Sequence, residues 1–479
     1  MKKSARIAVI ALCILTGLFV FKYQSYRTQT TGPLKVLPSN PRYFTDGTGK
    51  PVYLTGSHTW ESLQDNAGHV FDYTAYVNFM AARNHNFMRM WAYEKGENTS
   101  YYEPTVYVQL PCGKYDMNQF NQAYFDRLRS RVIEAGNKGI YVSIMLFQGW
   151  SIYNHGYGNP WPLHAYHAAN NINGINGDVN GDGQGREVHS LAVPAITQLQ
   201  EKYVQKVIDT VNDLNNVLYE ITNESPFGSL DWQNYLAAYI KKYEAAKPKQ
   251  HPVGITAFDG APPGSMRGML SSQADWISPE NDGSADYVGD PPAGTGAKVI
   301  ITDNDHLGNI DGHAWVWRSF MRGLNVIYMD GTSNNWGVAP ARDDIRNALG
   351  HTRTYANRLN LAAVSPRGDL TSTRYALANP GSEYLVYQPG TSSFTVNVQA
   401  GAYQVEWFNA SNGQTSSGGS MTMSSGGSCS FTPPFAGDAV LYLSYGGGGH
   451  RRGAAPAEGS AGPRPCLALC NRTFSGDRS

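Results

Sequence analysis

The chain has 479 residues, enough for two or three domains, and its 38 basic and 38 acidic residues balance to a formal net charge of zero. That balance, with only 16 % charged residues, excludes a binder of nucleic acid that works through a basic surplus. Aromatic residues make up 12 % of the chain, with 30 Tyr and 10 Trp, which serves large apolar cores or the stacking of sugar rings.

The first residues, Met1 to Arg6, are basic, and an apolar run from Ile7 to Phe21 follows. This is the pattern of a secretory segment, either cleaved or kept as an anchor, and it predicts a body outside the cytoplasm with membrane attachment as one outcome. Residues 1–32 are assigned to this segment and its linker. Of five cysteines, Cys13 lies in the apolar run, Cys112 and Cys429 stand far apart, and Cys466 and Cys470 fall in the tail. The spacing is neither a disulfide framework nor a zinc pattern.

From residue 33 to 361, short apolar runs alternate with stretches of helical spacing. The runs are Val52–Gly56, Phe87–Trp91, Ile140–Phe147, Val217–Thr222, Pro252–Thr256, Asp275–Ser278, Lys298–Thr302 and Asn325–Met329. Between them, Phe120, Tyr124, Leu128 and Val132 recur every four residues, and the stretches Val193–Leu214 and Trp232–Tyr243 behave similarly. Eight strands alternating with helices predict an α/β fold, a closed (β/α)8 TIM barrel. From residue 362 to 446 the segments Glu383–Gln388, Ser393–Val398, Ala402–Phe408 and Val440–Tyr445 are short and alternating, with turns at Asn379-Pro380-Gly381 and Asn412-Gly413. They predict a small all-β sandwich. The Gly/Pro/Ala-rich residues 447–479 are predicted to be disordered.

Chemistry in such barrels sits at the C-terminal ends of the strands, and polar residues gather there. His58, Trp60 and Glu61 follow the first run, Arg89 lies in the second, and Gln148 and Trp150 follow the third. Asn223 and Glu224 end the fourth, Glu280 follows the sixth, and Asp303-Asn304-Asp305-His306 follow the seventh. Glu224 is the leading candidate for a proton donor, with a solvated or ion-paired carboxylate as the plainer reading. Asp303 ends its run and is expected to face Glu224, with Asp305 as the substitute and His306 as a neighbour. Asn223, Arg89, His58, Trp60, Gln148, Trp150 and His306 are candidates for contact with a substrate. For each Trp, ordinary packing competes with stacking. The connection from Gln148 to about Ser190 is long, carries Trp161, His164, His167 and His189 as well, and is expected to wall the cleft.

The Asn223-Glu224 pair and the stretch Asn86-Phe87-Met88-Arg89-Met90-Trp91 resemble glycoside hydrolase clan A, the retaining barrel glycosidases that include family 5. The resemblance covers residues 35–360. It implies that Glu224 is the acid/base and that Arg89 supports a nucleophile at the end of the seventh strand. There the clan carries Glu and this chain carries Asp303. An Asp is shorter by one methylene, which leaves retention, inversion through a water, or loss of catalysis all open. More narrowly, the chain is similar to bacterial proteins that join such a barrel to a C-terminal β-domain of collagen-binding type.

Asp178, Asn180 and Asp182 are spaced like the first ligands of a calcium loop, but the twelfth position is His189. A metal-free turn competes with calcium here, and no other cofactor is expected. Asn98-Thr99-Ser100 forms a glycosylation sequon. Together these features predict an exported glycoside hydrolase acting on a polysaccharide or glycan, or else a carbohydrate- or matrix-binding protein that reuses the barrel without catalysis.

Overall fold

The structure, a computed structural model, describes residues 30–446 apart from 67, 95, 98–99, 261 and 332–341. The apolar run Ile7–Phe21, Cys13, Asn98 and Thr99 of the sequon, and the tail with Cys466 and Cys470 lie outside the described residues. Among the described residues, no helix is long and apolar enough to cross a membrane. Cys112 is exposed, and Cys429 is buried with its thiol donating to Met423 Sδ at 3.1 Å.

Eight parallel strands form the barrel. They are β1 (Thr55–His58), β2 (Phe87–Met90), β3 (Tyr141–Gln148), β4 (Val217–Asn223), β5 (Val253–Thr256), β6 (Trp276–Ser278), β7 (Val299–Asp303) and β8 (Asn325–Met329). Their order around the sheet is β1-β8-β7-β6-β5-β4-β3-β2. The helices outside are α1 (Tyr73–Ala82), α2 (Gln122–Asn137), α3 (Pro194–Val211), α4 (Leu230–Glu244), α5 (Met266–Leu270), α6 (Asn304–Leu307), α7 (His313–Met321) and α8 (Asp343–Arg358). Among the described residues no helix separates β6 from β7. That segment carries Pro279, Pro291 and Pro292 with four glycines, residues that stop helices.

The period-two alternation of each strand divides its residues between two cores. Met88, Ile144, Tyr219, Ile277 and Val326 face the helices. Phe87, Tyr141, Leu218, Trp276, Val299 and Ile301 fill the lower lumen, closed from below by Leu34 and Phe44. Above this apolar layer the same faces turn polar, with Arg89 opposite Ser143 and Glu220 opposite Gly254. The lumen therefore changes character within one turn of the barrel.

Three buried asparagines clip the strand starts together. Asn86 accepts from the Thr55 amide and donates to the Tyr53 carbonyl. Asn216 donates to the carbonyls of Val132 and Ile140. Asn325 donates to the carbonyls of Arg42 and Ile300 and accepts from the Leu54 amide.

A second β unit follows α8. Strands β9 (Ser365–Pro366), β10 (Ala376–Asn379), β11 (Glu383–Gln388), β13 (Gly401–Asn409), β14 (Thr415–Met423) and β16 (Ala439–Tyr445) form one antiparallel sheet. Strands β12 (Phe394–Val398) and β15 (Gly427–Phe431) form a ribbon. Their facing side chains make a core of their own, with Val396, Tyr403, Trp407 and Leu441. The outer face rests on α7 and α8. Trp317 stacks on Tyr387 at 6.2 Å, and Arg358 grips Glu406 with two bonds of 2.7 and 2.9 Å.

The seam between β1 and β2 depends on Gly56. A Cβ there would fall 2.1 Å from the Phe87 carbonyl oxygen, so the two backbones meet only because the side chain is missing. Gly56→Ala is expected to destabilise the fold by about 1–3 kcal/mol, the usual cost of overpacking a dense core, read as a lower midpoint in denaturant.

Candidate active site

The polar layer of the lumen is built around Arg89, which is fully buried. Its five N–H groups have no choice but to find acceptors. Nε donates to Glu220 at 3.0 Å and Nη2 to the other Glu220 oxygen at 2.5 Å. Nη2 also donates to Asn223 Oδ1 at 2.6 Å, while Nη1 donates to Asp303 at 2.8 Å and to Asp305 at 3.1 Å. Burial works against the guanidinium charge, but Glu220 and then Asp303 hold it ionised. Arg89 thus takes the place at β2 that the sequence assigned to it, but as a buried support under the cleft rather than a surface for substrate.

Asp303 lies at the end of β7, wholly buried. One oxygen receives Arg89 Nη1 and lies 2.9 Å from His58 Nε2, and the other caps α6 by accepting the Asp305 amide at 3.0 Å. Burial opposes its ionisation, yet His58, then Arg89, keep it well below the usual carboxylate range. The sequence led us to expect Asp303 opposite Glu224. Instead Asp305, two residues on, is the carboxylate whose charge acts foremost on Glu224. The physical reason is that the chain leaves the strand at Asp303 and coils at once into α6, so strand alternation no longer applies to Asp305. Burial and the adjacent Asp303 push the Asp305 carboxyl up to about 6.

His58 was expected at the substrate. It is fully buried, with Nδ1 accepting from Trp91 Nε1 at 2.8 Å and Nε2 on Asp303, so both ring nitrogens serve the protein. Trp60 is half-buried and donates to Met329 Sδ at 3.0 Å. Asn223 is buried and joins the site across. Its Oδ1 accepts from Arg89 and from His306 Nε2 at 2.9 Å, and its Nδ2 donates to Gln148 Oε1 at 3.2 Å. His306 Nδ1 meets Ser278 Oγ at 2.9 Å. Burial, then the Arg89 charge, lower its pKa to about 3, so the ring is neutral and its Nε2–H donates to Asn223.

Glu224 follows β4 with φ at +39°, the left-handed region that a side chain enters at a cost. The turn is held because Gly149 leaves room for it: a Cβ at 149 would fall 1.9 Å from the Glu224 carbonyl oxygen. Trp150 Nε1 donates to Glu224 Oε2, and Asn223 Nδ2 lies 3.5 Å from the same oxygen. Burial, then the charge of Asp305, push the Glu224 carboxyl well above its ordinary value, against the pull of Trp150 and Arg89. Trp150 in turn stacks on His155 at 4.1 Å and on Tyr157 at 5.9 Å. His155 lies 3.2 Å from Asp259, which also accepts the Tyr153 hydroxyl.

The rest of the long connection after β3 is pinned by Glu94. His164 Nε2 lies 3.6 Å from one of its oxygens and His189 Nε2 3.4 Å from the other. Burial opposes the charge, but the two imidazoles hold the Glu94 carboxyl at about 2. His189 Nδ1 meets Ser225 Oγ at 2.6 Å, so this clamp reaches the residue after Glu224. Trp161 is buried within the loop.

Glu220 and Asp259 were not among the residues singled out for the site, and Glu280 was noted only as a polar residue at a strand end. The signal for Glu220 was present: a buried arginine in a barrel lumen needs a carboxylate partner, and Glu220 interrupts an apolar run. Glu280 is half-buried after β6, its carboxyl pushed up to about 7 by burial, then by Asp282 and Asp259.

The loop with Asp178, Asn180 and Asp182 is knitted by its own amides. Asp178 accepts from the N–H groups of Gly181, Asp182 and Gly183, and Asp182 from that of Gln184. His189, at the twelfth position, is turned away onto Glu94 and Ser225. Among the described residues, no group of three or more His, Cys, Asp or Glu is placed to hold a metal ion.

Residues 38–174 match the model of the apiosidase-like catalytic domain. No curated protein sequence matches the chain. Among solved structures, a glycoside hydrolase is 14 % identical with a TM-score of 0.60, covering 87 % of this chain and 98 % of its own. A glycoside hydrolase family 5 protein from Bacteroides vulgatus ATCC 8482 is 14 % identical with a TM-score of 0.57, covering 86 % and 94 %. The fold is the (β/α)8 barrel with an appended all-β unit.

Glu220→Leu tests the support of the site. It leaves the Arg89 charge short of its bidentate partner in a dry lumen, and is expected to cost roughly 3–5 kcal/mol, measured by equilibrium unfolding.

Proposed function

We propose that the protein is an exported glycoside hydrolase that cleaves O-glycosidic bonds of a polysaccharide or glycan, with Glu224 as acid/base and Asp305 as the second carboxylate. The observation that carries this reading is a buried carboxyl after β4 that feels the charge of a second buried carboxyl held on a cation. Glu224 is driven toward its protonated form by burial and by Asp305, and Asp305 lies 3.1 Å from Arg89 Nη1. A protonated carboxyl opposite a carboxylate steadied by a guanidinium suits acid and nucleophile roles. The apiosidase-like match and the glycosidase names carried by structures of like fold support the same reading. The basic N-terminus and the apolar run after it support export.

In this mechanism the Glu224 proton sits on Oε1, because Oε2 already accepts from Trp150 and Asn223. Oε1–H protonates the glycosidic oxygen as the bond to the anomeric carbon breaks. Asp305 attacks that carbon and forms a glycosyl ester. Glu224, now a carboxylate, takes a proton from water, and the water cleaves the ester and returns Asp305. Arg89, Asp303 and His58 act from beneath as positioning groups. Retention of configuration follows from this course, and the anomer first released, read by NMR, tests it.

Glu224→Gln and Asp305→Asn are each expected to lower kcat by about 10²–10⁴-fold while leaving glycan binding in place, measured on a panel of plant and bacterial glycans. Wild-type turnover in either variant removes that residue from the chemistry. Binding by the wild type without turnover of any glycan on which it binds would leave the barrel as a sugar-binding protein.

The pH profile follows from the same pair. Asp305 must be ionised to attack, so activity falls as pH drops through about 6. Glu224 must be protonated, so activity also falls as pH rises through its elevated pKa. The two limbs belong to the pair as a whole, and because both carboxyls are shifted upward, the kcat/KM optimum is expected above the pH of about 4–5 that suits an unperturbed carboxyl pair.

A further inference from the structure

A groove beside the cleft is unused by this chemistry. It lies at the top of the barrel between the turn after β4 and α5, with a volume of about 450 Å³ and walls of Phe227, Leu230, Asp231, Phe258, Gly264 and Ser265. This is within the usual range of about 300–1,000 Å³ for a small-molecule site. Phe227 is 57 % exposed, a large apolar ring set in a turn on the functional face of the barrel, with Phe258 buried behind it. Asp231 is exposed in the first turn of α4.

The wall of the groove is tied to the acid. Phe227 stands three residues after Glu224. Its amide donates to the Asp259 carbonyl at 3.2 Å, and the short pairing of Ser225–Pro226 with Phe258–Asp259 fixes the two loops side by side. The Asp259 carboxylate holds Tyr153 and His155, and His155 stacks on Trp150, which donates to Glu224. One wall therefore runs from the proton donor to Phe227. Asp305 enters the site from β7, three strands around the barrel from β4.

We propose that this groove is a glycan subsite on the leaving-group side, in which the ring of Phe227 stacks on the apolar face of a sugar unit and Asp231 accepts from its hydroxyls. The inference rests on the glycosidase reading, because the acid must lie against the departing oxygen and the leaving sugar chain must lie beyond it. An open aromatic ring beside an exposed carboxylate matches a pyranose, which has one apolar face and a rim of O–H donors. The consequence is that the protein takes chain substrates and draws binding energy from a unit beyond the scissile bond.

The test uses the full chain with ladders of cello-, xylo- and manno-oligosaccharides and with aryl glycosides of the same sugars. In Glu224→Gln, affinity by calorimetry is expected to rise with chain length. Adding Phe227→Ala is expected to remove that rise, a loss of about tenfold on the longer members, as for truncation of an aromatic anchor. Phe227→Trp is expected to keep it. In the otherwise wild-type protein, Phe227→Ala is expected to lower kcat/KM on the longer oligosaccharides by the same factor and to lower it less on aryl glycosides, whose leaving group is a single ring. Binding that does not strengthen with length, or that is equally strong without Phe227, overturns the subsite and leaves the hydrolase reading intact. Failure of every ladder to bind Glu224→Gln, with no turnover by the wild type, overturns both.

Discussion

One guanidinium in a dry barrel lumen sets the terms for everything above it. Arg89 faces Glu220, Asp303 and Asp305 at once, three carboxyls for one positive charge. Glu220 and Asp303 lie deepest and make the shorter bonds. Asp305 makes the longest of the three and sits beside Asp303, so it is the one whose ionisation is resisted. Its displaced affinity for a proton is thus a matter of charge balance in a low-dielectric space, where uncompensated charge is expensive. The apolar plug of Phe87, Tyr141, Trp276 and their neighbours beneath keeps water from relieving that imbalance.

The same balance reaches Glu224. Its carboxyl is buried and lies under the influence of Asp305, while the nearby Arg89 guanidinium is shared among stronger partners. Asn223 ties these elements into a single frame, since it touches Arg89, His306, Gln148 and Glu224. The frame is stiff because most of its buried polar atoms have a protein partner, Gln148 Nε2 being an exception, and a well-connected buried network favours one arrangement. From outside, the wall of Trp150, His155 and Tyr157 shields Glu224, and the Glu94 clamp fixes the loop that carries this wall.

Much of this was legible in the residues. The eight apolar runs became β1 to β8, the weak fifth and sixth among them, because a parallel strand buried on both faces leaves a plain apolar signature. Asn223, Glu224 and the region after β7 stand at the strand ends where the runs stop. What could not be read was the geometry where strand rules cease. Asp303 caps the four-residue α6, and that local hydrogen bond, not the alternation of β7, decides which Asp meets the cleft. His58 carried a usable signal that went unread, since alternation with Gly56 already turned it into the lumen at the height of Asp303. In the C-terminal unit, β14 was missed because Thr-Ser-Ser-Gly-Gly-Ser-Met-Thr-Met reads as a loop. It pairs along the length of β13 despite its composition, a case of a neighbour imposing a strand on residues that do not favour one.

The seam of the barrel has a dynamic meaning. Every neighbouring pair of strands shares a ladder of backbone bonds except β1 and β2, which the described residues join through the Asn86 amide, the Asn86 side chain and the close approach at Gly56. Local opening begins where the fewest bonds must break, so the amides of these two strands form the weakest line of the barrel wall. That line runs past His58 on one side and Arg89 on the other. An excursion there would let water reach the lumen charges, and proton exchange between the buried network and bulk solvent would then be timed by breathing of the wall.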